Sequence, residues 1–213
     1  MKLVVILDYD MTIVDSFKVF YRVYNFLLKK FFSEEISIEK FKEMFCENTI
    51  DEYKKYPEDF WKEFKVLYKA SQPDEISPMP GLDDFIKELE ELGADIYIIT
   101  GRGVGEEDVE KELELLNLNS LRGRVRTLKD SEGEHPFDKT EEVRRVLTEK
   151  LDHKCIMLGD YVDDILAAKK NGCIAIGITN GCKSPDYFTG SGADYVVNSL
   201  SEAKDLVRNI ASH

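Results

Sequence analysis

Short apolar runs rich in β-branched residues alternate along this chain with longer stretches in which apolar positions recur every three or four residues. The short runs are Leu3 to Leu7, Asp95 to Ile99, Arg124 to Leu128, Cys155 to Leu158, Cys173 to Ile178 and Tyr195 to Val197, and they predict strands. The longer stretches, Leu82 to Leu92, Glu106 to Leu116, Thr140 to Leu151, Asp164 to Lys170 and Leu200 to Ile210, predict amphipathic helices. Strands and helices in alternation fold as a parallel sheet with helices on both faces. Such sheets bind ligands at the carboxyl ends of their strands.

The alternation breaks once. Residues 16–78 show no convincing strand. Phe17, Phe20, Tyr21, Tyr24, Leu28 and Phe31 repeat at helical spacing, as do Phe60, Phe64, Leu67 and Tyr68. The expectation is a small helical insert that leaves and rejoins the core beside the end of the first strand. Ser77-Pro78-Met79-Pro80-Gly81 reads as the return hinge, because these residues stop helices and fix turns. The insert holds 15 of the chain's 23 aromatic residues, and their spacing assigns most of them to its own core.

Composition narrows the function. With 213 residues and 43% apolar content, the chain can bury a substantial core. Its formal charge is -13, carried almost wholly outside the insert: 18 basic and 30 acidic residues there, against 11 and 12 within it. That balance argues against a nucleic-acid or anionic-membrane surface. No run reaches transmembrane length, and the first apolar run is too short for a signal-peptide core, so a cytoplasmic location is expected. Cys46, Cys155, Cys173 and Cys182 form no C-x-x-C pair and read as buried thiols of a reducing compartment. His135, His153 and His213 have no zinc spacing.

The chemistry-bearing residues fall at predicted strand ends. The first strand runs into Asp8-Tyr9-Asp10-Met11-Thr12, two carboxylates that oppose each other's ionisation unless a divalent cation joins them. Thr100 and Gly101 follow the second strand, offering a hydroxyl and free amides to an anionic oxygen. Lys139 opens the helix before the fourth strand, with Lys129 as the competing cation. Gly159-Asp160-Tyr161-Val162-Asp163-Asp164 follows the fourth strand; Asp163 has the weaker claim of the adjacent pair and reads equally as a helix cap. Asp15 and Ser16 have the same capping alternative. Arg102 suits either a substrate anion or the surface. The Thr100 to Gly105 stretch superficially resembles a dinucleotide loop, but Glu106-Glu107-Asp108 would face the pyrophosphate, so no nucleotide cofactor is expected.

Taken in order, these segments resemble the four motifs of the haloacid dehalogenase superfamily: Asp8-Tyr9-Asp10-Met11-Thr12, Ile99-Thr100-Gly101, Lys139, and Gly159-Asp160 with Asp164. Val14-Asp15-Ser16, Pro80-Gly81 and the Gly192 to Leu200 stretch are similar to the phosphoglycolate-phosphatase-like branch. The resemblance implies an α/β, Rossmann-like core over residues 1–15 and 79–213 and an all-helical cap over 16–78. It implies a phosphatase working through an aspartyl phosphate. Asp8 would be the nucleophile, Asp10 the acid and base, and Thr100, Gly101 and Lys139 would hold phosphoryl oxygens. The implied Mg2+ site is Asp8, Asp10 through its backbone carbonyl, Asp160 and Asp164, the last orienting a metal-bound water or Lys139. Arg102 would meet the substrate. The family usually has glycine where this chain has Met11. The implied partner is a small phosphorylated metabolite. A phosphomutase of the same superfamily and a receiver-type phosphoaspartate switch are the alternatives, and oligomeric state is not legible.

Overall fold

A computed structural model describes residues 2–69, 75–128, 138–148, 150 and 153–212. Its centre is a six-stranded parallel sheet in the order β5-β4-β1-β6-β7-β8. The strands are β1 (Lys2–Leu7), β4 (Asp95–Thr100), β5 (Val125–Thr127), β6 (His153–Gly159), β7 (Ile174–Ile178) and β8 (Tyr195–Val197). They coincide with the six predicted runs, give or take end residues.

The pleat of β1 explains how the core divides. Leu3, Val5 and Leu7 enter one apolar cluster, which takes in α5 (Leu82–Glu91), α6 (Glu106–Leu115) and α9 (Leu200–Ala211). Val4 and Ile6 enter the other, under α7 (Thr140–Thr148) and α8 (Val162–Lys170). Alternate side chains of a strand point to opposite faces, so an uninterrupted apolar run serves both helical layers at once. The end of the predicted Thr140 to Leu151 helix lies in part outside the described residues.

The chain builds β1, then β4 and β5 to one side, and returns to place β6 on the other side of β1. The order therefore switches between β1 and β6, and a crevice opens at their carboxyl ends. Both strands are in register there, Leu7 opposite Leu158, and the ladder continues as the Asp8 amide donates to the Leu158 carbonyl at 2.9 Å.

The insert contains α1 (Phe17–Phe32), α2 (Ile38–Glu47), the single turn α3 (Ile50–Tyr53) and α4 (Glu58–Lys69). Phe41, Phe60, Tyr24 and Tyr56 pack with ring centroids 4.6 to 5.8 Å apart in successive pairs, so the aromatics form the insert's own core. The absence of strands expected over residues 16–78 fails at its edge. Val14–Asp15 (β2) and Ser77–Pro78 (β3) pair antiparallel, a ribbon too short to leave a sequence pattern.

The cysteines correct the expectation of buried thiols. Cys155 is disulfide-bonded to Cys173, and Cys46 to Cys182. Cys155 and Cys173 precede the paired residues Ile156 and Ile174 on neighbouring strands, which sets their Cα atoms 4.6 Å apart. Cys46 on α2 meets Cys182 in the loop after β7 across 136 positions of sequence, a proximity no local spacing encodes. Paired cysteines remove the thiol argument for a reducing compartment.

Loop-closure entropy makes the long-range bridge the more stabilising of the two, at about 5 kcal/mol against about 3 kcal/mol. Urea unfolding of Cys46→Ser with Cys182→Ser should accordingly show a lower midpoint than unfolding of Cys155→Ser with Cys173→Ser. Full reduction should lower the wild-type midpoint below either.

Candidate active site

The turn after β1 is held open by its own backbone. Tyr9 accepts at its carbonyl from Ile13 and Val14, and the Met11 amide donates to Val14 at 2.8 Å. Met11 has φ of +60°, the left-handed region that glycine occupies without cost. Its side chain is buried in the apolar core, and Asn180 donates to the Met11 carbonyl at 2.6 Å. Packing and that bond hold a conformation which methionine alone disfavours.

Asp8 leaves this turn buried. Thr12 donates to its Oδ2 at 3.0 Å, and Lys139 Nζ donates to its Oδ1. Lys139 also donates to Asp164 Oδ1 at 2.6 Å. Asp164 stands at the start of α8, where its Oδ2 accepts the Tyr161 amide at 3.1 Å. It packs so closely on Gly159 that a Cβ there would lie 2.2 Å from Asp164 Oδ2, which explains glycine at that position.

Carboxylate oxygens of Asp8, Asp160 and Asp164 lie within 4.8 Å of one another. Lys183, from the loop after β7, donates to Asp160 Oδ2 at 2.6 Å and to the Asp160 carbonyl at 2.7 Å. Three carboxylates against two ammonium groups leave one net negative charge in a buried place. Burial, together with Asp164 and Asp160, pushes Asp8 up to about 8 despite Lys139. Burial and the neighbouring Asp160 also raise Asp164. Burial by itself would lower Lys139, but Asp164 and Asp8 raise it above its usual value, so the ammonium stays charged. Buried carboxylates held as reluctant anions, offering hard oxygen donors, fit a divalent cation.

Asp10 does not join that triad. Arg102 grips its carboxylate through two bonds, Nε to Oδ2 at 2.8 Å and Nη2 to Oδ1 at 2.7 Å. Burial opposes its ionisation, yet the Arg102 charge brings its carboxyl below the usual range. Thr100 is buried at the end of β4, and its hydroxyl accepts the Arg102 amide at 3.3 Å. Gly101 joins Thr100 to Arg102. Asp15 Oδ1 accepts the Phe17 amide at 3.0 Å, which is its capping role at the start of α1. Asp163 lies in the first turn of α8, while Lys129 falls outside the described residues.

The site is thus reached from the ends of β1, β4 and β6 and from the start of α7. A model of the haloacid dehalogenase-like hydrolases matches residues 5–178. The chain belongs to the haloacid dehalogenase-like hydrolase family. It is 42% identical over 52 residues to a phosphoglycolate phosphatase of Vibrio parahaemolyticus, and 40% identical over 52 residues to one of Vibrio vulnificus. These matches span 24% of this chain and 23% of either relative. Solved structures share the fold across nearly the whole chain. A predicted phosphatase from Clostridium acetobutylicum has a TM-score of 0.75 at 21% identity, covering 98% of both chains. A haloacid dehalogenase-like hydrolase from Streptococcus pneumoniae has a TM-score of 0.77 at 18% identity, covering 97% of this chain and 98% of that one. No helix among the described residues is long and apolar enough to cross a membrane.

Thr12, Lys183 and Asn180 were missed by sequence reasoning. Thr12 lay inside a quoted motif, and its position four residues after Asp8 could have flagged it. Lys183 and Asn180 come from a loop whose approach to the first motif depends on the sheet order.

Replacing Lys183 by methionine leaves the half-buried Asp160 without its cation. Breaking one side of a buried pair costs about 3 kcal/mol. Chemical unfolding of Lys183→Met should show a loss of that size in the absence of divalent cations, and a smaller loss when they are added.

Proposed function

We propose that the protein is a Mg2+-dependent phosphatase of small phosphorylated metabolites, working through an aspartyl phosphate on Asp8. The observation that carries this reading is the buried Asp8, bridged by Lys139 to Asp164 beside Asp160. A nucleophilic carboxylate needs neighbours that neutralise charge as a dianionic group approaches, and this arrangement supplies them.

The steps follow from the chemistry of the groups. Asp8 attacks phosphorus; its Oδ–P bond forms as the ester P–O bond breaks. Asp10 enters the turnover protonated, against the pull of Arg102 toward its anion. It gives that proton to the departing oxygen and later takes one from the water that cleaves the acyl phosphate, so each turnover returns Asp8 to its carboxylate and Asp10 to its protonated form. The Thr100 hydroxyl, the Gly101 amide and the Lys139 ammonium hold phosphoryl oxygens. Mg2+, bound by Asp8, Asp160 and the Asp10 backbone carbonyl, would offset phosphoryl negative charge. Asp164 keeps Lys139 in place. The helical insert acts as a cap that shuts water from this chemistry and admits small esters in preference to phosphoproteins.

The partial likeness to phosphoglycolate phosphatases favours a small phosphomonoester as substrate. A receiver-type switch would keep its phosphoaspartate, and Asp10 beside the nucleophile provides for its hydrolysis instead.

Asp8→Asn should fold as the wild type does and lose hydrolysis of p-nitrophenyl phosphate by several powers of ten, on the order expected for a lost covalent nucleophile. Turnover near the wild-type rate would remove Asp8 from the mechanism. Exhaustive chelation should abolish activity, and Mg2+ should restore it.

The raised Asp8 carboxyl also sets a pH dependence. A proton on Asp8 competes with the cation at pH values under about 8. Mg2+ affinity, measured calorimetrically, should therefore rise by about tenfold per pH unit on approaching that pH and level off above it. Affinity independent of pH between 6 and 8 would show that Asp8 is already ionised in the metal-free protein.

A further inference from the structure

Four side chains around Asp10 have no part in the phosphoryl-transfer steps: Arg102, Glu112, Tyr9 and Tyr68. Arg102 Nη1 donates to Glu112 Oε2 at 2.7 Å and Nη2 to Glu112 Oε1 at 3.4 Å, on the edge adjacent to the one that holds Asp10. The Tyr9 hydroxyl donates to Glu112 Oε1 at 3.1 Å. The guanidinium centre lies 4.8 Å from the Tyr9 ring and 5.0 Å from the Tyr68 ring. Its side chain is 11% exposed, as is that of Glu112. Arg102 is therefore fixed in plane by two carboxylates and out of plane by two aromatic rings.

This commitment bears on what Arg102 can do. A substrate carboxylate would have to displace Asp10 or Glu112 from a guanidinium whose charge both already share. The pair of carboxylates also leaves the spot net negative, which repels a further anion. What the geometry does accomplish is to immobilise Asp10. Oδ1 accepts from Arg102 and from the Tyr68 hydroxyl, at 2.7 and 2.6 Å, so its lone pairs are taken. Oδ2 accepts from Arg102 at 2.8 Å. The Ser16 hydroxyl is a further hydrogen-bonding neighbour of the carboxylate, and the remaining position on Oδ2 is the one that can carry a proton. Tyr68 belongs to α4 of the insert, whereas Arg102 lies in the loop after β4 and Glu112 on α6 of the core. The last bond to Asp10 is made only while the insert sits on the core.

We propose that Arg102 and Tyr68 are positioning residues that aim Asp10 Oδ2 at the leaving oxygen, with Tyr68 making that aim conditional on closure of the insert. The proposal rests on the phosphatase reading above and assigns Arg102 a role through Asp10 in place of contact with substrate. A fork holds a carboxylate within a narrow range of angles, and a displacement of about 1 Å at a proton-transfer group costs about 10²-fold in rate.

The test uses the full chain with Mg2+ and four esters. Phenyl phosphate and p-nitrophenyl phosphate differ in their need for leaving-group protonation. Glycerol phosphate and 2-phosphoglycolate differ in carrying a carboxylate. Tyr68→Phe removes one oxygen and keeps the ring. Arg102→Lys keeps the charge and loses the fork. The expected result is a kcat for phenyl phosphate lower by about tenfold in Tyr68→Phe and about 10²-fold in Arg102→Lys. KM should stay within a factor of about two, the p-nitrophenyl ester should lose less, and glycerol phosphate and 2-phosphoglycolate should lose equally. A KM increase confined to 2-phosphoglycolate would make Arg102 a substrate contact and overturn the proposal. So would equal losses of kcat/KM, which reports the step that expels the leaving group, on the two aryl esters, or unchanged kcat/KM for phenyl phosphate in Tyr68→Phe. Absence of Mg2+-dependent turnover by the wild type on all four esters would defeat the phosphatase reading itself, a result distinct from any of these.

Discussion

Lys139 is the charge on which the arrangement at the sheet edge depends. It donates to Asp8 and Asp164 at once, and both carboxylates are buried. Without an ammonium between them, two anions would stand in a medium too poorly polarisable to hold either. The cation also fixes where the sheet can place its ends. Asp8 arrives on β1, Asp164 on the helix after β6, and Lys139 on the segment entering α7, so three separate connections must close on one point. Gly159 makes that closure possible by leaving room for Asp164.

A second balance of charge lies beside the first and is built differently. Around Lys139 one cation is shared by two carboxylates, with Asp160 and Lys183 adjacent. Around Arg102 a planar cation is shared by Asp10 and Glu112 and enclosed by two tyrosine rings. The compact ammonium can turn its protons toward an arriving phosphoryl oxygen, whereas the enclosed guanidinium has little freedom to turn. Two carboxylates two positions apart in sequence thus occupy separate electrostatic surroundings. Asp8 is pushed up to about 8 by burial and its neighbouring carboxylates, and Asp10 is held low by Arg102.

Much of this was legible in the sequence because it is local. The six strands were visible as apolar runs, and Asp8, Thr100 and Asp160 were visible as the polar residues that end three of them. The helices α1 and α4 followed from aromatic spacing. What the sequence hid was set by topology. Cys46 meets Cys182, and Lys183 meets Asp160, only because the loop after β7 lies beside both the insert and the end of β6. The contacts of Arg102 with Asp10 span 92 positions, so its alternatives of anion site and surface charge could not be separated by reading along the chain. Met11 was visible as a departure from glycine, but the buried packing that tolerates its left-handed backbone was not.

The bridge between Cys46 and Cys182 changes what kind of mechanical object the insert is. Two chain crossings, paired as β2 and β3, make a hinge with a single axis near the end of β1. The third attachment sits after β7, separated from β1 by one strand and so about 10 Å across the sheet. Tyr161 adds a hydrogen bond to Asn48 at 3.3 Å on the same side. A body pinned at a point off its hinge axis swings less far about that axis, so the movement that brings Tyr68 to Asp10 is a short one. Relative movement is then left to the compliance of the α2 end and the Cys182 loop, and the oxidised protein is a three-point mount in which access to the crevice comes from bending.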